Sequence, residues 1–194
     1  MDKRIILALT GASGVLYGRS TLQALAAENV EIWLSISDAA RLIVRDELKV
    51  NLDERNPDIE KLAGVKGVKY VPPHALDAVI ASGSFPVDGM AIVPCSMSTL
   101  GAIASGHGTN VIHRAADVAL KERRPLVLVP RETPFSAIHL ENMLRLARAG
   151  ATILPASPGF YHGPESVEDL VDFVVSRVLD ALGIDNALIR RWGG

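Results

Sequence analysis

The sequence IILALTGASG, residues 5–14, decides the fold class. Its first five residues are all apolar, which is typical of a strand buried on both faces of a parallel sheet. Gly11 and Gly14 then allow a sharp turn, and Ser13 places a hydroxyl near the start of the next helix. Helix N-termini favour anions because their first N–H groups are unpaired. The stretch therefore predicts a strand, a turn suited to a phosphate, and a helix.

The glycine spacing differs from the standard nucleotide-binding motifs. Gly11, Gly14 and Gly18 form a G-x-x-G-x-x-x-G pattern, whereas dinucleotide-binding proteins carry G-x-G-x-x-G. No Lys-Ser or Lys-Thr pair follows, so the turn is not a P-loop. By itself the turn is compatible with a bound phosphate or with a strand-to-helix connection that binds nothing.

Predicted strands and helices alternate along the whole chain. We expect strands over residues 4–9, 31–35, 90–93, 126–129 and 151–154, and helices over 15–27, 38–48, 111–122, 138–149 and 167–182. Such alternation is typical of a single-domain α/β protein with three layers and a doubly wound, Rossmann-like parallel sheet. The charged segment 49–74 is interpreted as an excursion from this domain. Ligands bind at the carboxyl ends of such strands, so the turns there should converge.

Composition excludes several function classes. The 194 residues are 48% hydrophobic with a mean hydropathy of +0.24, which suits one compact domain. A net charge of −2 indicates neither a nucleic-acid partner nor an anionic membrane. Cys95 is the single cysteine, so the chain has no internal disulfide, which favours a reducing cytoplasm. The five histidines lack the spacing typical of a metal site, so we expect no bound metal. No apolar run approaches the ~18 residues of a membrane span.

A second turn follows the apolar strand at 90–93. Residues 94–99 read PCSMST and carry three hydroxyls, and the small residues of 100–106 follow, which permit close approach of a flat ring. Free N–H groups at such a turn can hold an anion. The alternative is that Ser98 or Thr99 simply caps a helix.

Charged residues accompany the later strands. Arg131 and Glu132 follow the strand at 126–129, where a guanidinium can bind phosphate and a carboxylate can carry a proton. Arg114 and Lys121 are seven residues apart and can share a helix face. Taken singly, each of these charges is more typical of a solvated surface than of a site.

The last long loop, residues 155–164, carries three prolines and Tyr161 at the end of a predicted strand. A rigid loop in that position is typical of a functional segment. Arg177 on the following helix could reach the same crevice or lie on the surface. Trp192 is interpreted as an anchor for the tail or for another subunit.

Together these motifs resemble the UbiX flavin prenyltransferase family. The motifs are TGASG at 10–14, PCS at 94–96 with Thr99, the block 114–128, PRE at 130–132 and FYH at 160–162. The resemblance implies a flavoprotein fold with one FMN-binding domain over residues 1–194. It also implies a homo-oligomer, commonly a dodecamer, and the apolar helix at 167–182 suits subunit contacts made by residues 166–194.

The resemblance also implies a reaction. Members of the family transfer the dimethylallyl group of dimethylallyl phosphate to N5 and C6 of reduced FMN without a metal. The products are phosphate and prenylated FMN, and prenylated FMN serves a UbiD-type decarboxylase, often in ubiquinone biosynthesis.

The resemblance also implies binding and catalytic roles for the individual residues that match the family's motifs. Lys121, Arg131 and Arg177 would stabilise the departing phosphate as a metal does in other prenyltransferases. The residues expected to hold FMN are Gly11, Ala12, Ser13, Ser37, Ser96, Met97, Ser98, Thr99 and Arg131. Those expected at the reacting centre are Ser13, Glu47, Lys121 and Glu132, and those expected to bind the allylic phosphate are Tyr161, Arg177 and Arg114.

Two other functions stay open at this point. FMN-dependent cysteine decarboxylases share the crevice but use a catalytic histidine in a motif that is absent from this sequence. A non-catalytic FMN carrier is the second alternative.

The chain departs from some relatives in the loop before residues 81–84. Those relatives have an aromatic residue there, whereas this chain has Leu76, Asp77 and Ala78, so the sequence does not define which residues cover the prenyl group.

Overall fold

The computed structural model describes residues 3–191, so Trp192 lies outside the described residues. The strands are β1 (Arg4–Leu9), β2 (Glu31–Ile36), β3 (Lys69–Tyr70), β4 (Gly89–Cys95), β5 (Leu126–Pro130) and β6 (Thr152–Ile153). The helices are α1 (Val15–Ala27), α2 (Asp38–Leu48), α3 (Ile59–Ala63), α4 (Met97–Ser105), α5 (Val111–Lys121), α6 (Ala137–Arg148) and α7 (Val167–Ala181). A short 3-10 turn spans Val79–Ala81.

The strands form one parallel sheet in the order β3-β2-β1-β4-β5-β6. From β1 the chain first builds outward through β2 and β3 and then returns to place β4 on the other side of β1. This reversal confirms the predicted doubly wound α/β fold. It also creates a crevice between the carboxyl ends of β1 and β4, where such folds bind their ligands.

Burial on both faces explains why the central strands lack polar alternation. Every residue of β4 and β5 is buried, and so is all of β1 except Arg4. Ile5 and Leu7 pack on one face with α1 and α7, whereas Ile6 and Ala8 pack on the other face with α5. The apolar core therefore lies on both sides of the sheet and holds the strand ends in fixed positions.

Most apolar residues of α7 pack inside the chain itself. Val171, Val174, Val175, Val178 and Leu179 are buried in the core, where α7 packs against α1. Val167, in the first turn, is 62% exposed. The expected subunit contacts of residues 166–194 stay a prediction.

Three elements were not predicted. The segment 49–74 is not wholly irregular, because it contains α3 and the two-residue edge strand β3. The third element, α4, follows β4 directly, and its cap is Ser96 rather than Ser98 or Thr99, because the Ser96 side chain accepts a hydrogen bond from Thr99 N. The other strand and helix ends lie within two residues of the predicted ones.

No helix within residues 3–191 has the length and apolar character needed to cross a bilayer.

Candidate active site

Thr10 joins the turn after β1 to the turn after β4. Its amide and its hydroxyl donate hydrogen bonds to the carbonyl oxygen of Pro94, at 3.2 and 2.9 Å. Its hydroxyl oxygen in turn accepts one from Ser96 N at 2.8 Å. Thr10 is buried, so these bonds are shielded from water. We did not assign Thr10 a role from the sequence, although a hydroxyl residue directly after a buried strand was a usable signal.

The turn after β2 is held against the first turn. Ser37 N donates a hydrogen bond to Leu9 O at 3.0 Å. A β-carbon on Gly11 would lie only 2.5 Å from the Ala39 β-carbon in the first turn of α2. The turn at 10–14 can therefore approach α2 only with a glycine at this position, and three strand ends meet at one place.

Two helices begin at this crevice with serine caps. The Ser37 hydroxyl accepts a hydrogen bond from Ala40 N at 3.1 Å at the start of α2. At the start of α4, Ser96 Oγ accepts one from Thr99 N at 3.2 Å and lies 3.1 Å from the Thr99 hydroxyl. The first N–H groups of a helix have no partner within the helix, and its dipole is positive there. These two N-termini therefore suit an anion such as a flavin phosphate.

The N-terminus of α1, where the sequence predicts a phosphate cradle, contacts an anionic side chain of the chain itself. Gly14 N donates to the two carboxylate oxygens of Glu47 at 3.2 and 3.0 Å, and Val15 N donates to one of them at 3.1 Å. Glu47 comes from the far end of α2, 33 residues away in sequence. The anion position at α1 is thus occupied by the chain itself.

Arg131 and Glu132 lie where β5 ends, close to the first turn. The Arg131 guanidinium donates from Nε to Ser13 O at 3.1 Å, and the Glu132 carboxylate accepts a hydrogen bond from Thr133 N at 3.0 Å. Both side chains are half-buried, whereas Ser13 is exposed. A cation, a carboxylate and a hydroxyl therefore meet at the same edge of the sheet.

Tyr161 lies in the loop that follows β6. Ala156 N donates to Pro130 O at 3.1 Å, which fixes the start of this loop beside the end of β5. The Tyr161 ring packs edge-on against Phe173 of α7, with centroids 5.7 Å apart, and is 49% exposed. Tyr161 therefore shares the carboxyl edge of the sheet with the turns already described.

Lys121, which was expected at the reacting centre, lies away from this crevice within one chain. It ends α5 and pairs with Glu122, beside Gly83. Arg124, three residues later, donates to Gly83 O, and it directly precedes the segment that starts β5. Because α5 runs antiparallel to the strands, its last residue lies at their amino ends, which is the opposite edge of the sheet.

Arg177 and Arg114 are likewise engaged elsewhere in the chain. Arg177 lies in the second half of α7, where it pairs with Asp180 at 3.0 Å. The end of α7 meets the amino end of the sheet, since Lys3 contacts Gly183 O. Arg114 lies in the first turns of α5 and pairs with Asp117 at 2.6 Å. Both arginines are therefore ion-paired within the chain, and Arg177 lies toward the amino end of the sheet.

Burial removes the Cys95 thiol from the chemistry of the site. Cys95 is fully buried, and the loss of hydration raises the pKa of its thiol far above the usual range. Only a thiolate is strongly nucleophilic, so Cys95 acts as a small apolar residue of the core. Burial also raises the pKa of Tyr17, whose ring adjoins Gly14, so this phenol stays neutral.

Comparison with known proteins identifies the family. The family model described as Flavoprotein matches residues 1–179. A protein of Methanothermobacter thermautotrophicus named "Flavin prenyltransferase UbiX" is 53% identical over 192 residues, which cover 99% of this chain and 96% of that protein.

Solved structures agree with this assignment. A structure described as AnUbiX (PadA1) in complex with FMN and dimethylallyl pyrophosphate is 45% identical and has a TM-score of 0.89, covering 100% of this chain and 99% of that one. A dodecameric FMN-dependent UbiX-like decarboxylase of Escherichia coli O157:H7 is 46% identical and has a TM-score of 0.87, covering 98% of this chain and 100% of that one.

The likeness to cysteine decarboxylases is much weaker. The FMN-dependent cysteine decarboxylase TvaF has a TM-score of 0.61 at 14% identity, which shows a shared fold alone. The matches at 45–53% identity span nearly the whole chain, and they therefore decide the assignment. The chain belongs to the Flavoprotein family and, within it, to the UbiX flavin prenyltransferases.

Proposed function

We propose that this protein transfers the dimethylallyl group of dimethylallyl phosphate to N5 and C6 of reduced FMN and releases phosphate. The observation that carries the proposal is the joined pair of turns at Thr10–Ser13 and Ser96–Thr99, in a chain 53% identical to a UbiX flavin prenyltransferase. The complex of a 45% identical protein with FMN and dimethylallyl pyrophosphate supports the pairing of these two ligands.

The residues of the crevice fit FMN. The N-termini of α2 and α4, capped by Ser37 and Ser96, offer unpaired N–H groups to the phosphate, whereas the N-terminus of α1 is occupied by Glu47. Gly11 and Ala12 of the first turn, and Met97, Ser98 and Thr99 of the first turn of α4, are proposed to contact the bound flavin. When bound, reduced FMN supplies the nucleophilic atoms N5 and C6.

The charged side chains at the end of β5 fit the chemistry of an allylic phosphate. The bond from C1 of the dimethylallyl group to oxygen breaks, and the phosphate leaves with the electron pair, so a nearby cation lowers the barrier. Arg131 supplies positive charge beside Ser13. The bond to C6 uses the electron pair of the dimethylallyl double bond, whose inner carbon gains a proton while C6 gives one up. Glu132, whose carboxylate accepts a hydrogen bond from Thr133 N, is the proposed carrier of that proton.

The remaining basic residues are proposed to act in the crevice of another copy. Lys121 and Arg177 lie toward the amino ends of the strands in their own chain, Arg114 is ion-paired with Asp117, and a 46% identical relative is dodecameric. In an assembly of this kind, residues at one surface of a subunit can complete the site of its neighbour. Tyr161 is proposed to bind the allylic phosphate from its own chain.

The use of the product is also a proposal. We infer that a UbiD-type decarboxylase takes up the prenylated FMN, that the reaction serves ubiquinone biosynthesis or the metabolism of aromatic acids, and that it occurs in the cytoplasm. The family resemblance supports these inferences.

An anaerobic assay tests the transfer. Purified protein is mixed with reduced FMN and dimethylallyl phosphate, and with the pyrophosphate in a parallel reaction, and the extracted flavin is analysed by mass spectrometry. A mass gain of one dimethylallyl group on the flavin is expected. Bound but unaltered FMN would instead indicate a carrier, and decarboxylation of a cysteine-ended peptide would indicate the rival enzyme.

A further inference from the structure

The peptide group between Ser13 and Gly14 is held from both sides by charged residues. Its N–H, on Gly14, donates to the Glu47 carboxylate at 3.0 and 3.2 Å. Its carbonyl, on Ser13, accepts a hydrogen bond from Arg131 Nε at 3.1 Å. Glu47 belongs to α2 and Arg131 follows β5, so the two contacts come from opposite sides of the crevice.

This peptide group would otherwise have a second accessible orientation. Gly14 has φ 94° and ψ 31°, a left-handed conformation that glycine adopts without strain. Type I and type II turns differ by a rotation of the central peptide group through ~180°. A glycine directly after that peptide group can adopt the backbone conformation that either turn needs. Rotation here would point the Ser13 carbonyl at the Glu47 carboxylate and the Gly14 N–H at the Arg131 guanidinium. Both charges therefore oppose the rotated form.

Glu47 also replaces a missing helix cap. Gly14 occupies the N-cap position of α1 and has no side chain that could accept a hydrogen bond. The Glu47 carboxylate supplies that acceptor from another helix, since it also accepts from Val15 N at 3.1 Å. The start of α1 and the orientation of the turn thus depend on the same carboxylate.

We propose that Glu47 and Arg131 form a clamp on the Ser13–Gly14 peptide and that Glu47 is a positioning residue that acts through Ser13. The clamp fixes the backbone that carries the exposed Ser13 side chain at the edge of the crevice. Its effect on prenyl transfer rests on the proposed function, whereas the clamp itself does not.

Three substitutions of Glu47 separate positioning from proton transfer. Glu47→Gln keeps one oxygen that can accept from both amides but cannot exchange a proton at neutral pH. Glu47→Ala removes the acceptor. Glu47→Asp keeps the acid but withdraws it by about 1.5 Å, the length of one carbon–carbon bond. Asp46→Asn, on the same helix and ion-paired with neighbouring Arg45, is the control.

The first measurement is amide hydrogen exchange in the full-length protein without substrate, followed by mass spectrometry of the segment 10–17. We expect exchange of the Gly14 and Val15 amides to become roughly tenfold faster in Glu47→Ala and Glu47→Asp, because an opened hydrogen bond exposes its N–H. Glu47→Gln and Asp46→Asn should keep the native exchange. Unchanged exchange in Glu47→Ala would overturn the clamp, whether or not the protein transfers a prenyl group.

The second measurement is FMN affinity together with the rate of flavin alkylation in a single turnover. Glu47→Gln should recover most of the rate that Glu47→Ala loses, and Glu47→Asp should remain as slow as Glu47→Ala. If Glu47→Gln were as slow as Glu47→Ala and Glu47→Asp were fast, the carboxyl group would act as an acid or base, and the positioning role would be wrong.

Discussion

Gly18 shows how a single missing side chain sets the distance between a helix and the sheet. It lies inside α1, where a β-carbon would clash with the Val93 carbonyl oxygen and lie 2.8 Å from Leu9 Cγ. Backbone cannot move aside as a flexible side chain can. We therefore expect Gly18→Ala to lower the free energy of unfolding by about 1–3 kcal/mol, measured as a lower urea midpoint at fixed protein concentration.

Gly101 provides the matched control. It also lies inside a helix, α4, but a β-carbon there would meet only the Asn142 side-chain nitrogen at 3.4 Å. Alanine favours a helix over glycine by about 0.8–1.0 kcal/mol. Gly101→Ala should therefore leave the urea midpoint unchanged or raise it. Equal losses in both variants would contradict the steric explanation.

At the scale of single elements, α5 carries a buried histidine that should make the fold sensitive to acid. His113 lies in the first turn of α5, and burial, with a smaller contribution from His107, lowers the pKa of its imidazole. The unfolded chain therefore binds a proton more readily than the folded chain. Stability that is fully present above a pH of about 6.5 is lost as the pH falls below it.

His113→Gln tests this dependence. Thermal midpoints of the native protein and of the variant are measured between pH 8 and pH 5. We expect the native protein to lose more stability on acidification than the variant, because glutamine has no proton to bind. Parallel curves for the two proteins would show that other groups cause the acid sensitivity.

At the scale of the whole molecule, α6 offers exposed apolar side chains for assembly. Ile138 is 68% exposed and Leu144 is 50% exposed, and Phe135 and Leu140 are exposed nearby. Apolar patches on a surface mark contacts with other molecules. We expect Ile138→Glu with Leu144→Glu to give a smaller species by light scattering. Leu42→Glu, at an exposed site on α2, is the control and should keep the native size.

Assembly should also be required for catalysis. Glu132 lies at the crevice of its own chain, whereas Lys121 lies at the opposite edge of the sheet. Lys121→Ala and Glu132→Gln should each be inactive alone. After the two proteins are dissociated and reassembled together, mixed oligomers should regain part of the activity, because some sites then receive both native residues. No recovery in verified mixed oligomers would contradict the shared site.

The sequence alone predicted the elements that burial dictates. β1, β4 and β5 consist of continuous apolar runs, which only a sheet covered on both faces can bury, and from them the doubly wound fold and its crevice follow. α4 was missed because its small residues give no amphipathic pattern. β3 was missed because two residues are too few to show any periodicity.

The tertiary structure alone decided which charges meet in the crevice. Glu47 reaches Gly14 across 33 residues of sequence, because α2 packs against α1. Arg131 reaches Ser13 across 118 residues, because β5 lies next to β4, which itself lies next to β1. Lys121 stands between motifs of the site in the sequence, yet the direction of α5 carries it to the opposite edge of the sheet. Apolar burial is a local property that sequence periodicity reveals, whereas contacts between charged side chains depend on the relative placement of whole elements, which no local pattern encodes.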